Sequence, residues 1–187
     1  FEDKKDVRYL RDFGNPNQAV QQGALLARGE YLTWIVDDSE IVYEDSIDIT
    51  IEHLEQHDPD KDIEFARYIE GMEFGPEFWV AHYHNDLKLP GIPNTYRLAP
   101  IPLMKTKLFL DLGGLDCVTF DHINCSVHDL CFRAQYEDGK VLYPPVNMTN
   151  LTVQRGRTAE NSAVINSFMT VDNPNMKALY SNPMALE

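Results

Sequence analysis

Apolar and polar positions along the chain fall into two alternating periods. Tyr31-Leu32-Thr33-Trp34-Ile35-Val36 is a short apolar run that stops at once in Asp37-Asp38-Ser39-Glu40. A run of that length, bounded by a glycine and by acids, predicts a buried strand over 31–36. Ahead of it, Asn15-Pro16 predicts a helix start, with Asn15 as cap and Pro16 at the first position. Ala19, Ala24, Leu25 and Leu26 supply that helix with an apolar side, and Gly29 reads as its C-terminal stop. With a short strand at Val7–Leu10, the order becomes strand–helix–strand, the unit of a parallel sheet.

The alternation continues beyond the acids. Asp45 or Ser46 caps a second helix whose apolar positions are Ile47, Ile51 and Leu54, closed by Asp58-Pro59. Residues 62–72 contain a strand with Ile63, Phe65 and Tyr68 inward. Residues 73–95, rich in Gly, Pro, His and aromatics, read as a long cleft-lining loop. An extended stretch over 96–104, a short helix over 105–112, and a turn at Gly113-Gly114 come next. A helix over 126–136 and a strand over 141–146 complete the core. Two further helices are expected at 159–169 and 174–180.

Composition narrows the function classes. The chain has 187 residues, 43% of them hydrophobic and 25% charged, enough for one domain with a real core. Sixteen basic against 30 acidic side chains leave a net charge of −14. That argues against nonspecific nucleic-acid binding, which needs a basic surface to displace counterions. An anionic small molecule stays compatible, because a divalent cation inverts the local field. No apolar run approaches bilayer length, and the expected setting is cytoplasmic. Cys117, Cys125 and Cys131 match no zinc or redox spacing and read as reduced, mostly buried thiols.

Three groups of residues carry candidate chemistry. A strand that delivers Asp37, Asp38 and Glu40 to its carboxyl end places them where open α/β sheets bind ligands and metals; the plain alternative is a solvated acidic turn. Gly113-Gly114-Leu115-Asp116 allows close backbone approach to a ligand, though alone it is only a turn. Asp129-Leu130-Cys131-Phe132-Arg133 brings an acid and an arginine onto one helix, where they also stand at the spacing of a simple ion pair. His82, His84 and Asp86 could share a metal if they lie on a strand. Trp79, Tyr83 and Tyr96 could stack on a sugar ring or fill the core.

In this order and separation, the motifs resemble a nucleotide-sugar glycosyltransferase of the GT-A type, nearest to family 2, from about residue 7 to residue 146. The resemblance implies a GT-A-like, Rossmann-like α/β fold: a mostly parallel sheet with helices on both faces. Residues 1–150 would form the core, beginning at what corresponds to the family's third strand, without the segment that holds base and ribose. Residues 151–187 would form a C-terminal helical extension. The implied reaction is metal-dependent, inverting transfer of a sugar from a nucleoside-diphosphate donor to a glycan or other hydroxyl acceptor. Asp38, with Asp37 and Glu40, would hold Mn2+ or Mg2+. Gly113, Gly114, Asp116 and Trp79 would bind substrate, and Asp129, Asp121 or His128 would take the proton. Ser126-Val127 stand where the family carries Glu-Asp. Two other readings are a non-catalytic relative that binds a sugar or a partner, and a metal hydrolase built on His82, His84 and Asp86.

Overall fold

The computed structural model describes residues 10–11, 14–35, 39–41, 44–65, 68–70, 101–142, 151–153 and 166–180. Helix α1 spans Pro16–Leu25, and the Asn15 side chain accepts the Gln18 N–H at 3.0 Å, as its cap position requires. Strand β1 is Tyr31–Thr33, β2 is Ser39–Ile41, and helix α2 is Ser46–Glu55. Strands β3 and β4 are Ile63–Phe65 and Tyr68–Glu70. Strand β5 is Pro102–Lys105, followed directly by α3, Thr106–Asp111. Helix α4 is Ile123–Tyr136, with β6 at Val141–Leu142 and β7 at Leu151–Val153. A π-helical turn, Phe168–Asp172, leads into α5, Asn173–Tyr180.

Four strands form one sheet in the order β1-β5-β3-β6. Strand β5 runs antiparallel to both neighbours, pairing Thr33 with Leu103 and Phe65 with Pro102, while β3 and β6 are parallel. The sheet is therefore mixed, a correction to the mostly parallel sheet expected. Side-chain periodicity reports which face a residue occupies and not which way its strand runs. The registers bring the carboxyl ends of β1, β3 and β6 to one edge, beside the start of β5. A smaller sheet, β2-β7-β4, joins residues 39–41 and 68–70 to residues 151–153. Residues 151–153 thus form the central strand of this smaller sheet.

Helices cover both faces of the larger sheet. On one face Ile63, Phe65 and Met104 pack with Phe109 of α3, Val127 and Leu130 of α4, and Ala24 of α1. On the other, Glu64 of β3 is wholly buried and meets Nδ1 of His53 on α2 at 2.9 Å. Every residue of β3 is buried, as a strand sandwiched between helices must be.

Local expectations meet several corrections. Helix α1 ends at Leu25, so Gly29 is not its cap; Leu25 and Leu26 lie 62% and 49% exposed, and the buried positions are Asn17 and Ala24. Helix α2 buries Ser46, Thr50 and Leu54 and leaves Ile47 40% exposed; Thr50 can be buried because its Oγ1 donates to the Ser46 carbonyl at 2.7 Å. Strand β1 is described as a strand only to Thr33. All but Leu10 of the expected strand at 7–10, and most of the helix at 159–169, fall outside the described residues; Leu10 itself is not in a strand.

Candidate functional site

The glycine turn is built from residues far apart in sequence. Gly113 and Gly114 have φ of +86° and +73°, the left-handed region that glycine enters without strain. A Cβ on Gly114 would lie 2.2 Å from Oε1 of Gln21, a group that accepts the Leu115 N–H at 2.8 Å. One helix turn earlier on α1, buried Asn17 donates to the Phe120 carbonyl at 2.8 Å. Helix α1 therefore grips both ends of the loop from Gly113 to Asp121.

Arg133 on α4 holds the same loop from the other side. Its Nη2 donates to the Gly114 carbonyl at 2.6 Å and its Nη1 to the Leu112 carbonyl. Its Nε and Nη2 also donate to Oδ2 of Asp129, at 2.9 and 2.7 Å. The remaining oxygen, Oδ1, accepts from the hydroxyl of Tyr180 on α5. Burial and the adjacent Asp129 charge push the Tyr180 hydroxyl well above its usual range. Both oxygens of Asp129 are thus engaged in a group only 5% exposed.

The other candidate acids stand differently. Asp116 Oδ1 accepts the N–H groups of Val118 and Thr119 at 3.0 and 2.9 Å, folding the loop tip around itself. Partial burial works to raise its pKa, but hydrogen bonds from Thr119 and Val118 and the nearby Arg133 outweigh this and hold it below the ordinary value. Asp121 is exposed, its Oδ2 accepting from Ser167 Oγ at 2.9 Å. His128 is buried beside Asp129 on α4. Ser126 and Val127 are also buried. Ser126 Oγ donates to the Asp116 carbonyl at 3.2 Å.

At the sheet edge, β1 ends at Thr33, four residues ahead of Asp37 in sequence. Glu40 lies in the middle of β2, opposite Thr152 of β7. Asp37 and Asp38 lie outside the described residues, as do Trp79, Tyr83, Tyr96, His82, His84 and Asp86. Among the described residues no three His, Cys, Asp or Glu side chains converge as a metal site. A small apolar hollow beside this edge is lined by Thr33, Ile41, Ser46, Thr50, Ile101 and Leu103. The cysteines form no disulfide; Cys125 and Cys131 are buried and Cys117 is half-buried. Burial, with Asp172 alongside the first and Asp129 alongside the second, pushes both buried thiols well up.

The structure brings Gly113, Gly114, Asp116, Asp129 and Arg133 into one cluster. Sequence reasoning missed Asn17, Gln21, Tyr180, Asp172 and Asn175. Asn17 and Gln21 share an i,i+4 spacing on α1, a weak sign of a common polar contact; the others carry no local sign. No helix among the described residues is long and apolar enough to cross a membrane. The chain matches no protein-family model, and no curated protein is detectably similar to it.

Proposed function

We propose that the chain is a GT-A-like glycosyltransferase that moves a sugar from a nucleoside-diphosphate donor to a hydroxyl acceptor with inversion. The observation that carries this reading is the Arg133 clamp. Two motifs 13 residues apart, Gly113-Gly114-Leu115-Asp116 and Asp129–Arg133, meet as one preformed turn with a half-exposed carboxylate. A preorganised polar turn suits an acceptor whose hydroxyls must be oriented before reaction. The edge shared by the ends of β1, β3 and β6 suits the donor.

Roles follow from what each group has left to give. Asp129 is spent on Arg133 and Tyr180, so it anchors the turn. Asp121, exposed at the start of α4, takes the acceptor proton as the oxygen attacks the anomeric carbon. Asp116 accepts an acceptor hydroxyl. Asp38, with Asp37 and Glu40, supplies oxygen donors of the kind Mn2+ or Mg2+ prefers, and a bound cation would stabilise charge on the departing diphosphate. Asp38→Ala and Asp121→Asn should each abolish transfer in a protein that still folds; unchanged transfer in both sinks the reading.

A second reading has its own observation. Ser126 and Val127 are buried and Asp129 is fully engaged, so α4 itself presents no open carboxylate at the family's base position. This favours a non-catalytic relative that binds a sugar or a partner. Ligand binding without metal dependence or turnover would select it.

A further inference from the structure

The proposed transfer, on which this inference rests, requires a proton acceptor held in one place, and Asp121 is held by groups about 50 residues further along the chain. Asp172, fully buried at the end of the π-helical turn, accepts the Asp121 N–H at 2.8 Å through Oδ1. Its Oδ2 accepts the His122 N–H at 2.6 Å. Ser167 Oγ donates to the Asp121 carboxylate at 2.9 Å, and Asn175 Nδ2 donates to the Thr119 carbonyl at 2.8 Å. The backbone before Asp121, its own N–H and its carboxylate are all fixed from residues 166–180.

Burying a carboxylate is costly unless donors meet it. Burial pushes Asp172 above the usual carboxylate range, although two backbone N–H groups and His122 pull the other way. Those N–H groups stand at the entry to α4, where the helix dipole also favours an anion. The Ser167 contact is different in kind. It lies on an exposed carboxylate, where a hydrogen bond adds little to folding, so what it fixes is orientation. We infer that Asp172 and Ser167 are positioning residues for the proposed transfer, the first setting the backbone of Asp121 and the second the rotamer of its carboxylate. Residues 166–180 are then part of the acceptor-side machinery.

The test begins without activity. In the full chain, Asp172→Asn should move the Asp121 and His122 amide proton signals and speed their exchange with solvent. Ser167→Ala should leave those amides in place while the Asp121 side chain, read from its three-bond couplings, averages over several rotamers. Unchanged amides in the first variant, or an unchanged rotamer in the second, overturn the inference. Turnover is then read with the nucleotide sugar alone and water as acceptor. The bond from the anomeric carbon to the diphosphate oxygen breaks, the water oxygen takes its place, and the proton goes to Asp121. Ser167→Ala should lower kcat on the order of tenfold with KM for the donor unchanged, and Ser167→Thr should restore it. An unaltered kcat in Ser167→Ala overturns the positioning role. A wild-type chain that turns over no nucleotide sugar overturns the transfer reading instead, and the amide and rotamer results then decide the structural claim alone.

Discussion

Asp129 and Arg133, one turn apart on α4, act less as a surface ion pair than as a joint. The guanidinium meets Oδ2 of Asp129 through two nitrogens and reaches on to the Leu112 and Gly114 carbonyls, while Tyr180 closes Oδ1. The pair therefore ties α4, the glycine turn and α5 together.

Breaking this joint from one side leaves a buried charge. Arg133→Ala should destabilise the fold by about 3 kcal/mol, since the carboxylate would lose its partner in a nearly closed site. The double variant Asp129→Leu, Arg133→Met should recover much of that loss. Urea denaturation of the three proteins checks both values.

The two turn glycines should respond unequally to alanine. Gly113→Ala meets only an ordinary contact, Arg133 Nη1 at 3.9 Å, so the positive φ alone is penalised, about 1 kcal/mol. Gly114→Ala also displaces the Gln21 carboxamide from the Leu115 N–H, so the lost hydrogen bond adds to the φ penalty and the cost should be about 2 kcal/mol. Denaturation midpoints that rank the two the other way would contradict the geometry of the turn.

Tyr31 gives an alkaline marker. Its hydroxyl donates to Glu55 Oε1 at 2.9 Å. Partial burial, then that hydrogen bond and the carboxylates of Glu55, Glu30 and Asp60, raise its pKa to about 12. Because the folded value is raised, the stabilisation is complete below the ordinary value of 10 and is lost as pH rises through about 12. Ultraviolet titration should show Tyr31 ionising late, and Glu55→Gln should bring it earlier.

Asp116 works in the opposite direction at acid pH. Its folded pKa is depressed, so its contribution is present above the ordinary value of 3.8 and is lost as pH falls through the folded value. Asp116→Asn should lower Tm at neutral pH and have a progressively smaller effect below pH 3.8, which thermal melts across the acid range would reveal.

Much of this fold is legible locally. Asn15-Pro16 marks the start of α1, and Gly113-Gly114 sits at positive φ because no other residue type enters that turn as easily. Helices α3, α4 and α5 fall close to the expected ranges, though α4 begins at Ile123, three residues earlier than its apolar pattern suggested. Strand direction was not legible, since β5 carries the same burial pattern whichever way it runs. The bonds that tie Asp172 and Asn175 to the loop, and Tyr180 to Asp129 on α4, were also hidden. Each joins positions about 50 residues apart, and nothing in a lone Asp, Asn or Tyr on a short helix announces its partner. The surface of α1 misled for a related reason: tertiary contact buries polar Asn17, while Leu25 and Leu26 remain outside.

The most direct test of the transfer reading is calorimetric titration of UDP, GDP, CDP and dTDP into this chain, each with and without Mn2+. The account predicts that one nucleotide binds, that binding requires the metal, and that Asp38→Ala removes it. Binding of none of the four, or binding indifferent to both Mn2+ and Asp38, would contradict it.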